Sequence, residues 1–246
     1  MMQAADLPER ALLQRQAAWL RPARAQLLRR IAIAHRQRVL DLGAGRGAVT
    51  GELVRRAGGP VVALDRRVSA LREAVPTGAH CTGGDARQLP FADATFDLIF
   101  SQLTLLWISP LVSALDELAR VLSPSGALVA LEPDYGGMIE HPPEIATRSL
   151  WLAALRRAGA DPLVARKLPR LLADRGFSVR VDLFDRLAPP DPARFDLLRG
   201  LPLTEDERAR LAKIEAASES RQPSGAADWS KVAHLPFFLI TAEKES

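Results

Sequence analysis

The sequence predicts an α/β fold in which helices cover both faces of a mostly parallel sheet. Short apolar runs alternate with helix-forming segments along most of the chain, and a glycine-rich turn follows the first apolar run. Strands that alternate with helices in this way lie parallel and are joined by right-handed crossovers. We therefore expect a Rossmann-like, doubly wound sheet.

The composition is that of a globular protein and restricts the possible classes of site. Hydrophobic residues make up 48% and charged residues 25% of the 246 residues, which argues against general disorder. A single cysteine, Cys81, excludes a disulfide framework. The four histidines are scattered without ligand spacing, so no metal site is predicted. No segment approaches the roughly 18 apolar residues of a membrane span, and the first residues do not resemble a secretory signal. We expect a cytoplasmic protein.

The first half of the chain contains four predicted strands. Residues 7–35 are predicted to be helical with a break at Pro22, because apolar residues recur at helical spacing. Buried strands are predicted at Val39–Leu42 and Val61–Leu64, a short third strand at Ala79–Thr82 and a fourth strand at Phe96–Ser101. Helices are predicted at Ala48–Ala57, through Leu71 and Ala74, and at Leu111–Leu122.

The alternation loosens after a fifth predicted strand, Ala127–Leu131. Helices are predicted at Ile145–Ala158, Ala165–Arg175 and Thr204–Ser218, and strands at Val179–Phe184 and Phe237–Ala242. Thr204 and Glu207 form a capping box. A linker at 189–192 and a polar loop at 222–225 are also predicted. This pattern predicts an N-terminal helical cap at 1–36 and a main domain at 37–246, with cap insertions at about 134–164 and 187–234.

The most informative stretch is Val39–Gly47, in which glycines 43, 45 and 47 lie between a buried strand and a helix. Glycine lets the backbone approach a ligand closely, and the start of the helix offers free N–H groups. Ligands of open α/β sheets bind beyond the carboxyl ends of the strands. The turn therefore predicts a binding site, although a tight connection alone would also use glycines.

Two acids fall where a nucleoside site needs them. Asp65 ends the second strand about 20 residues after the glycines, where a carboxylate can accept hydrogen bonds from ribose hydroxyls. Asp85 follows the third strand and is predicted to reach an adenine amino group. Each alone is more often a turn acid or a helix cap. Together with the glycine turn they outline one cleft.

Two classes of cofactor fit such a cleft. Gly43, Gly45 and Ala48 satisfy the permissive dinucleotide pattern, so an NAD enzyme is one alternative. Asp41 argues against it, because a carboxylate two residues before the first glycine is poorly placed beside a pyrophosphate. The same carboxylate suits a ligand that carries an ammonium group and a sulfonium cation. The sequence also lacks a Tyr-x-x-x-Lys pair for hydride transfer.

With these features the sequence resembles the class I S-adenosylmethionine-dependent methyltransferases, and most closely the small-molecule enzymes related to ubiquinone/menaquinone-biosynthesis methyltransferases. The resemblance is good over roughly residues 38–133. The matching runs are Val39–Gly47, Val61–Asp65, Gly84–Ala86 with Leu89–Phe91, Phe96–Ser101 and Leu118–Gly126. The resemblance implies seven strands, the last antiparallel at Phe237–Ala242, with S-adenosyl-L-methionine as cofactor and a small organic molecule as methyl acceptor.

The resemblance also assigns roles to residues of the cleft. The methionine part of the cofactor would be surrounded by Asp41 and the turn Gly43, Ala44, Gly45 and Gly47. Asp65 would hold the ribose, and Asp85 with Ala86 the adenine. The predicted cofactor site also includes Arg66, and Ser101 and Gln102 beside the transferable methyl group.

The sequence departs from the subgroup in two places. The subgroup commonly has a histidine where this chain has Leu106, so the adjacent Trp107 is interpreted as a packing residue. The segments Asp134–Val164 and Leu187–His234 have no counterpart in the pattern. We expect them, with the N-terminal helices, to cover the active site and to select the acceptor.

Methyl transfer from a sulfonium is an in-line displacement, for which the cofactor supplies the reactivity and the protein the orientation. A base is needed only where the acceptor must lose a proton. Tyr135 and His141, just beyond the fifth strand, are the candidates. A packed tyrosine and a surface histidine are the commoner roles for such residues.

Two other function classes stay open. Eight arginines between Arg10 and Arg38, with no acid among them, would suit nucleic-acid phosphates or form the solvated face of helices. The loop Ser101–Thr104 lacks the Asn/Asp-Pro-Pro-aromatic sequence of base-amino methylation, which disfavours a nucleic-acid methyltransferase. The other alternative is a non-catalytic cofactor-binding subunit, which the three intact cleft acids disfavour.

Overall fold

The computed structural model describes residues 7–74, 78–184, 187, 191–219 and 229–244. Its strands are β1 Val39–Leu42, β2 Val61–Asp65, β3 Ala79–Gly83, β4 Phe96–Gln102, β5 Leu122–Pro133, β6 Ile139–His141, β7 Phe177–Phe184, β8 Val232–His234 and β9 Phe237–Lys244. Its α-helices are α1 Arg10–Trp19, α2 Arg21–Arg30, α3 Thr50–Arg56, α4 Val68–Ala74, α5 Leu111–Val121, α6 Arg148–Arg157, α7 Val164–Ala173, α8 Ala193–Arg199 and α9 Glu205–Glu219. Short 3₁₀ turns lie at Ile33–His35, Leu105–Trp107, Tyr135–Gly137 and Pro143–Ile145.

Seven strands form one sheet in the order β3-β2-β1-β4-β5-β9-β7. Strands β1 to β5 of this sheet pair in parallel, and β9 runs antiparallel to both β5 and β7. The predicted seven-stranded, mostly parallel sheet with an antiparallel last strand is therefore confirmed. The strand order reverses between β1 and β4, and ligands of doubly wound sheets bind at such a switch point.

Two hydrophobic cores, one on each face of the sheet, explain why the central strands carry apolar residues on both sides. All four residues of β1 are buried. Leu40 and Leu42 belong to the core that α5 and α7 cover, whereas Val39 belongs to the core beneath α2. Because α2 buries Leu27 and Leu28 in that second core, the N-terminal helices form a layer on the sheet. The predicted division at residue 36 stays a prediction.

The amino-terminal elements agree with the sequence within a few residues. The predicted helix at 7–35 consists of α1 and α2, and Pro22 occupies the start of α2, where its missing N–H costs nothing. The carboxylate of Asp97 accepts hydrogen bonds from Gln37 N at 2.7 Å and Arg38 N at 3.0 Å, which secures the chain just before β1. Among the residues described, no helix is long and apolar enough to cross a membrane.

The structure corrects several predictions in the second half of the chain. Strand β5 begins at Leu122, because the apparent turn 123–126 is an irregular part of the strand in which Ser125 has a φ of +59°. The helix predicted from Ile145 begins only at Arg148, since Pro143–Ile145 forms a 3₁₀ turn. Helix α8 and the two-stranded sheet of β6 and β8 were not predicted.

The capping box of α9 is confirmed, with Thr204 N donating to Glu207 Oε2 at 2.8 Å and Glu207 N donating to Thr204 Oγ1 at 3.2 Å. The predicted loop 222–225 and residues 189 and 190 of the predicted linker lie outside the described residues.

Candidate functional site

The glycine turn follows β1 and is fixed to the end of β2. Gly43 N and Ala44 N both donate to Leu64 O, at 2.8 and 3.0 Å. Gly43, Gly45 and Gly47 have φ values of +70°, +53° and +74°, which disfavour residues with a Cβ. An added Cβ at Gly43 would lie 2.3 Å from two side-chain atoms of Thr104, so this glycine is also needed for space.

Asp65 joins the turn to the second strand as the sequence predicts. Its Oδ2 accepts a hydrogen bond from Gly45 N at 2.9 Å, and its Oδ1 accepts one from Arg67 N at 2.8 Å. The structure thus brings Asp65 and the glycine turn together at the carboxyl edge of the sheet. A carboxylate at this position can also accept from the hydroxyl groups of a ribose.

Asp41 is buried directly beneath the turn, with 3% of its surface exposed. Thr50 donates its hydroxyl to Asp41 Oδ2 at 2.6 Å. The pKa of Asp41 is raised to about 6, mainly by burial and also by the negative charge of Asp65, although the hydrogen bond from Thr50 and the charge of Arg24 act in the opposite direction. Two carboxylates that interact in one cleft attract a cation.

Asp85 is held by a residue that the sequence analysis did not single out. Arg87 donates its backbone N–H to Asp85 Oδ1 at 2.9 Å and its Nη2 to Asp85 Oδ2 at 2.6 Å. These bonds lower the pKa of Asp85 to about 2, and the charge of Arg66 lowers it a little. Ala86 is buried beside them. The predicted adenine and ribose residues therefore occupy neighbouring loops.

The predicted methyl end of the cleft lies at the ends of β4 and β5. Ser101 is fully buried, and Gln102 Oε1 accepts from Arg24 Nη1 at 3.1 Å. Arg24 is itself buried at 3% exposure and donates to Glu52 Oε2 at 2.8 Å. Helix α2 therefore reaches the cleft through Arg24. The positive charge of this arginine also lowers the pKa of Asp41.

Glu132, at the end of β5, is a second buried carboxylate of this edge. Its Oε1 accepts from Thr104 N at 3.0 Å and from Leu105 N at 2.9 Å. Complete burial raises the pKa of Glu132 to about 7, and backbone N–H groups lower it, as does the neighbouring Ser101 hydroxyl. Glu132 Oε2 and Ser101 Oγ are close enough for this influence, but neither has a geometrically acceptable hydrogen-bond partner within the described chain.

The two candidate bases differ in their surroundings. Tyr135 is buried and stacks on Trp151, with ring centroids 5.0 Å apart. Burial, followed by the charge of Glu132, raises the pKa of Tyr135, which favours a neutral hydroxyl. His141 is exposed on β6, opposite Val232 of β8. The roles of both residues stay predictions.

The charges around the glycine turn suit the cofactor that the sequence predicts. Gly45 is buried, and a Cβ added to it would lie 3.9 Å from Leu7 Cδ1 and 4.0 Å from Asp65 Oδ2, which is van der Waals contact. The Asp65 carboxylate lies beside the turn and the Asp41 carboxylate is buried beneath it, so this edge of the sheet is negatively charged. A ligand with an ammonium group and a sulfonium cation complements that charge. No group of three His, Cys, Asp or Glu side chains in the described ranges is arranged to bind a metal ion.

Sequence reasoning missed five residues of this edge, namely Arg24, Thr50, Arg87, Thr104 and Glu132. Glu132 carries the same signal that identified Asp65, because it is an acid at the end of an apolar strand. Arg24 carries no such signal, since its partners Glu52 and Gln102 are 28 and 78 residues away in sequence.

The arginines of the N-terminal stripe are only partly free to contact a ligand. Arg15 pairs with Asp191, Arg24 with Glu52, and Arg30 with Asp182. Arg36 donates to the backbone oxygens of Ile31 and Asp97. The four remaining members are exposed: Arg10, Arg21, Arg29 and Arg38.

Comparison with known proteins places this site in a wider group. Residues 40–130 match the family described as a methyltransferase domain. A solved structure of a Bacillus halodurans protein assigned as a methyltransferase superposes with a TM-score of 0.65, at 18% identity, and covers 90% of this chain and 98% of that one. At this identity the superposition shows a shared fold.

Two curated relatives show how varied this group is. A malonyl-[acyl-carrier protein] O-methyltransferase of Pseudescherichia vulneris is 35% identical over 159 residues, which is 64% of this chain and 58% of the relative. The mitochondrial arginine-hydroxylase NDUFAF5 of Rattus norvegicus is 31% identical over 170 residues, 66% of this chain and 48% of the relative. The chain therefore spans about half the length of these relatives.

Proposed function

We propose that this chain, which carries a class I methyltransferase domain, transfers a methyl group from S-adenosylmethionine to a small organic acceptor. The domain match and the strand order confirm the resemblance that the sequence predicts. The observation that carries the proposal is the cleft itself: a glycine turn with left-handed backbone, hydrogen-bonded to Asp65 and placed above the buried Asp41.

The residues of the cleft bind and orient, and they exclude water. When bound, S-adenosylmethionine supplies an electrophilic methyl group. The glycine turn admits the cofactor close to the backbone, and Asp41, ionised above pH about 6, attracts its positive charge. Ser101 and Gln102 close the methyl end. Orientation of this kind contributes roughly 7–11 kcal/mol to such reactions.

The surroundings of Tyr135 favour an acceptor that needs no base. A tyrosine hydroxyl is protonated at neutral pH, and burial raises the pKa of Tyr135 further above neutrality, so Tyr135 is a poor proton acceptor. An acceptor oxygen that is already ionised, such as a carboxylate, meets this condition. The relatives named malonyl-[acyl-carrier protein] O-methyltransferase support an acceptor of this class.

A guanidinium beside the same loop adds to this argument. Arg166, whose side chain is 46% exposed, forms a bidentate ion pair with the buried Asp134, next to Tyr135. An added Cβ at Gly136 would lie 2.9 Å from Arg166 Nη2, which places that group directly against the loop. The net charge of +4 also favours acidic acceptors. We therefore propose a small carboxylic acid or its acyl conjugate as acceptor.

Cofactor binding is tested first, by calorimetric titration with S-adenosylhomocysteine and with NAD. We expect micromolar affinity for S-adenosylhomocysteine, its loss in Asp65→Ala, and its retention in Asp93→Ala. Asp93 is the matched control because its side chain is 79% exposed and pairs with Arg120. Binding of NAD alone would contradict the proposal and indicate an oxidoreductase.

Methyl transfer is tested separately, with donor labelled in the methyl group and three acceptor pools: a malonyl thioester, free dicarboxylic acids and total RNA. We expect label on an acid or its conjugate. Label on RNA that disappears at raised salt would indicate that the exposed arginines bind phosphate. Cofactor binding without transfer to any pool would favour the non-catalytic alternative or another reaction, as the hydroxylase name of NDUFAF5 suggests for that relative.

A cytoplasmic location belongs to the same proposal, and cell fractionation tests it.

A further inference from the structure

We propose that Glu132 is a positioning residue of the transfer site, which holds the turn after β4 against the glycine turn of the cofactor cleft. The inference rests on the proposed function for the identity of the bound cofactor. The contacts themselves are properties of the protein, so they can be tested with or without a ligand.

Glu132 occupies a position where an apolar residue would be less costly. The side chain is fully buried at the end of β5, and the described chain offers no arginine or lysine in hydrogen-bonding contact with it. Burying a carboxylate without a paired cation costs stability. A residue retained at such a cost is expected to fix a geometry that apolar packing would not specify.

The geometry that Glu132 fixes is the turn after β4. Both Thr104 N and Leu105 N donate to Glu132 Oε1, and Leu103 N donates to Leu131 O at 3.0 Å. Leu103 has a φ of +56°, a left-handed conformation that is unfavourable for leucine. Such a conformation persists only when surrounding contacts determine it, and these three hydrogen bonds lie on either side of it.

Thr104 connects the turn after β4 to the cofactor cleft. The Thr104 side chain fills the space where Gly43 lacks a Cβ, and its hydroxyl donates to Gln102 O at 3.1 Å. Glu132 therefore acts on the first glycine of the turn and on Gln102 through a single residue. Because Glu132 is fully buried, it acts through these neighbours and does not itself contact the cofactor.

Three variants separate positioning from a general loss of stability. Glu132→Ala removes the acceptor for both N–H groups, whereas Glu132→Gln keeps an oxygen that can accept them. Leu128→Ala is the matched control, because Leu128 is fully buried in the same strand but lies away from its carboxyl end. Thermal unfolding of each variant identifies the temperatures at which all of them remain folded.

Trp107 provides a direct readout of the turn. It ends the 3₁₀ segment that begins at Leu105, and it is 37% exposed. Acrylamide quenching is measured in each variant with and without Trp107→Phe, so that the difference isolates this tryptophan from the other three. Cofactor-site geometry is measured in parallel as the affinity for S-adenosylhomocysteine.

We expect Glu132→Ala to raise the quenching of Trp107 and to weaken S-adenosylhomocysteine binding about tenfold or more. Glu132→Gln should restore both to within about threefold of the original protein, and Leu128→Ala should change neither. Equal behaviour of Glu132→Ala and Leu128→Ala would overturn the proposal, as would a Glu132→Gln variant that is as impaired as Glu132→Ala.

Two controls keep the test decisive. If Glu132→Ala does not fold, Glu132→Asp replaces it, because the shorter carboxylate cannot reach both N–H groups. It should then show the raised quenching, and unchanged quenching would overturn the proposal. If the unsubstituted protein does not bind S-adenosylhomocysteine, the proposed function fails, while the Trp107 comparison still decides the role of Glu132.

Discussion

In the cofactor cleft, Asp41 and Glu132 are buried carboxylates whose pKa values are raised by burial. In the segments that the sequence predicts as a cap, called the cap below, Glu207 and Glu215 lie in ion pairs with Arg157 and Arg199 near the surface. The pair with Arg157 lowers the pKa of Glu207. The two regions therefore hold the same chemical group in opposite ways: burial of a carboxylate costs stability in the cleft, whereas pairing with arginine stabilises the charged form in the cap.

This difference indicates where specific geometry is needed. A cleft attracts a cationic ligand when some of its carboxylates are not paired with arginine or lysine. The cap has to stay attached to the sheet, and exposed ion pairs with apolar contacts are sufficient for that. We expect substitutions in the cleft to change cofactor binding and substitutions at the ion pairs of the cap to change mainly stability.

The strongest test of this expectation compares two glycines with left-handed backbone, Gly43 in the cleft and Gly159 in the cap, whose φ values are +70° and +85°. Alanine should cost a similar backbone strain at each position. Only at Gly43 would its Cβ also collide, at 2.3 Å from Thr104, whereas nothing lies within 4 Å at Gly159. We expect Gly43→Ala to weaken S-adenosylhomocysteine binding about a hundredfold, measured by calorimetry.

Gly159→Ala is the control and should bind with unchanged affinity, although it unfolds at a somewhat lower temperature. Equal affinity losses in the two variants would show that backbone strain, rather than contact with Thr104, explains the effect at Gly43.

The same contrast explains which parts of the molecule the sequence predicts. In the cleft Asp65 ends an apolar strand and Asp41 lies one residue before the end of another, and the sheet brings strand ends together. In the cap the contacts join residues far apart in sequence, such as Arg157 with Glu207 at 50 residues and Arg15 with Asp191 at 176. Local patterns carry no information about such pairs, which is why α8 and the β6–β8 pair were missed.

Arg24 and Thr104 escaped prediction for the same physical reason, although they belong to the cleft. Thr104 packs against Gly43 and Arg24 bonds to Glu52 and Gln102, but both residues belong to elements that lack a motif, and only tertiary packing brings them there. Glu132 was within reach of the reasoning that found Asp65, because both are acids at strand ends. The positions of the acids near the strand ends were therefore predictable, whereas the contacts that fix their geometry were not.

The dependence of stability on pH should differ in sign between the two regions. The pKa of Glu132 rises from 4.5 in the unfolded chain to about 7 in the folded protein. Since the unfolded chain loses this proton first, Glu132 lowers stability as pH rises from about 4.5 to 7. Between pH 5 and pH 8 this titration should lower the free energy of unfolding by about 2 to 3 kcal/mol. Urea unfolding at the two pH values should show that this decrease is absent in Glu132→Gln. The titration of Asp41, raised in the same direction, is common to both proteins and cancels in the difference.

Glu207→Gln should change the pH dependence of stability in the opposite direction. Because the pKa of Glu207 is lowered in the folded protein, its charged form contributes stability that is present above the unfolded pKa and is lost as pH falls. The Glu207→Gln variant should thus be less stable than the original protein at pH 8 and similar to it at the lowest pH where both fold. A Glu132→Gln variant with the same pH dependence as the original protein would contradict the account of the cleft.

The smallest effects are expected at two arginines of the N-terminal helices that connect to different regions. Arg24 is buried and reaches Glu52 and Gln102 of the cleft, whereas Arg15 forms an exposed pair with Asp191 of the cap. We expect Arg24→Met to lower the free energy of unfolding by about 2 kcal/mol and to weaken S-adenosylhomocysteine binding, because it leaves buried acceptors unsatisfied. Arg15→Met should cost less than about 0.5 kcal/mol, since exposed ion pairs contribute little, and should leave binding unchanged. If both variants bind equally well, helix α2 only covers the sheet and does not help to shape the cleft.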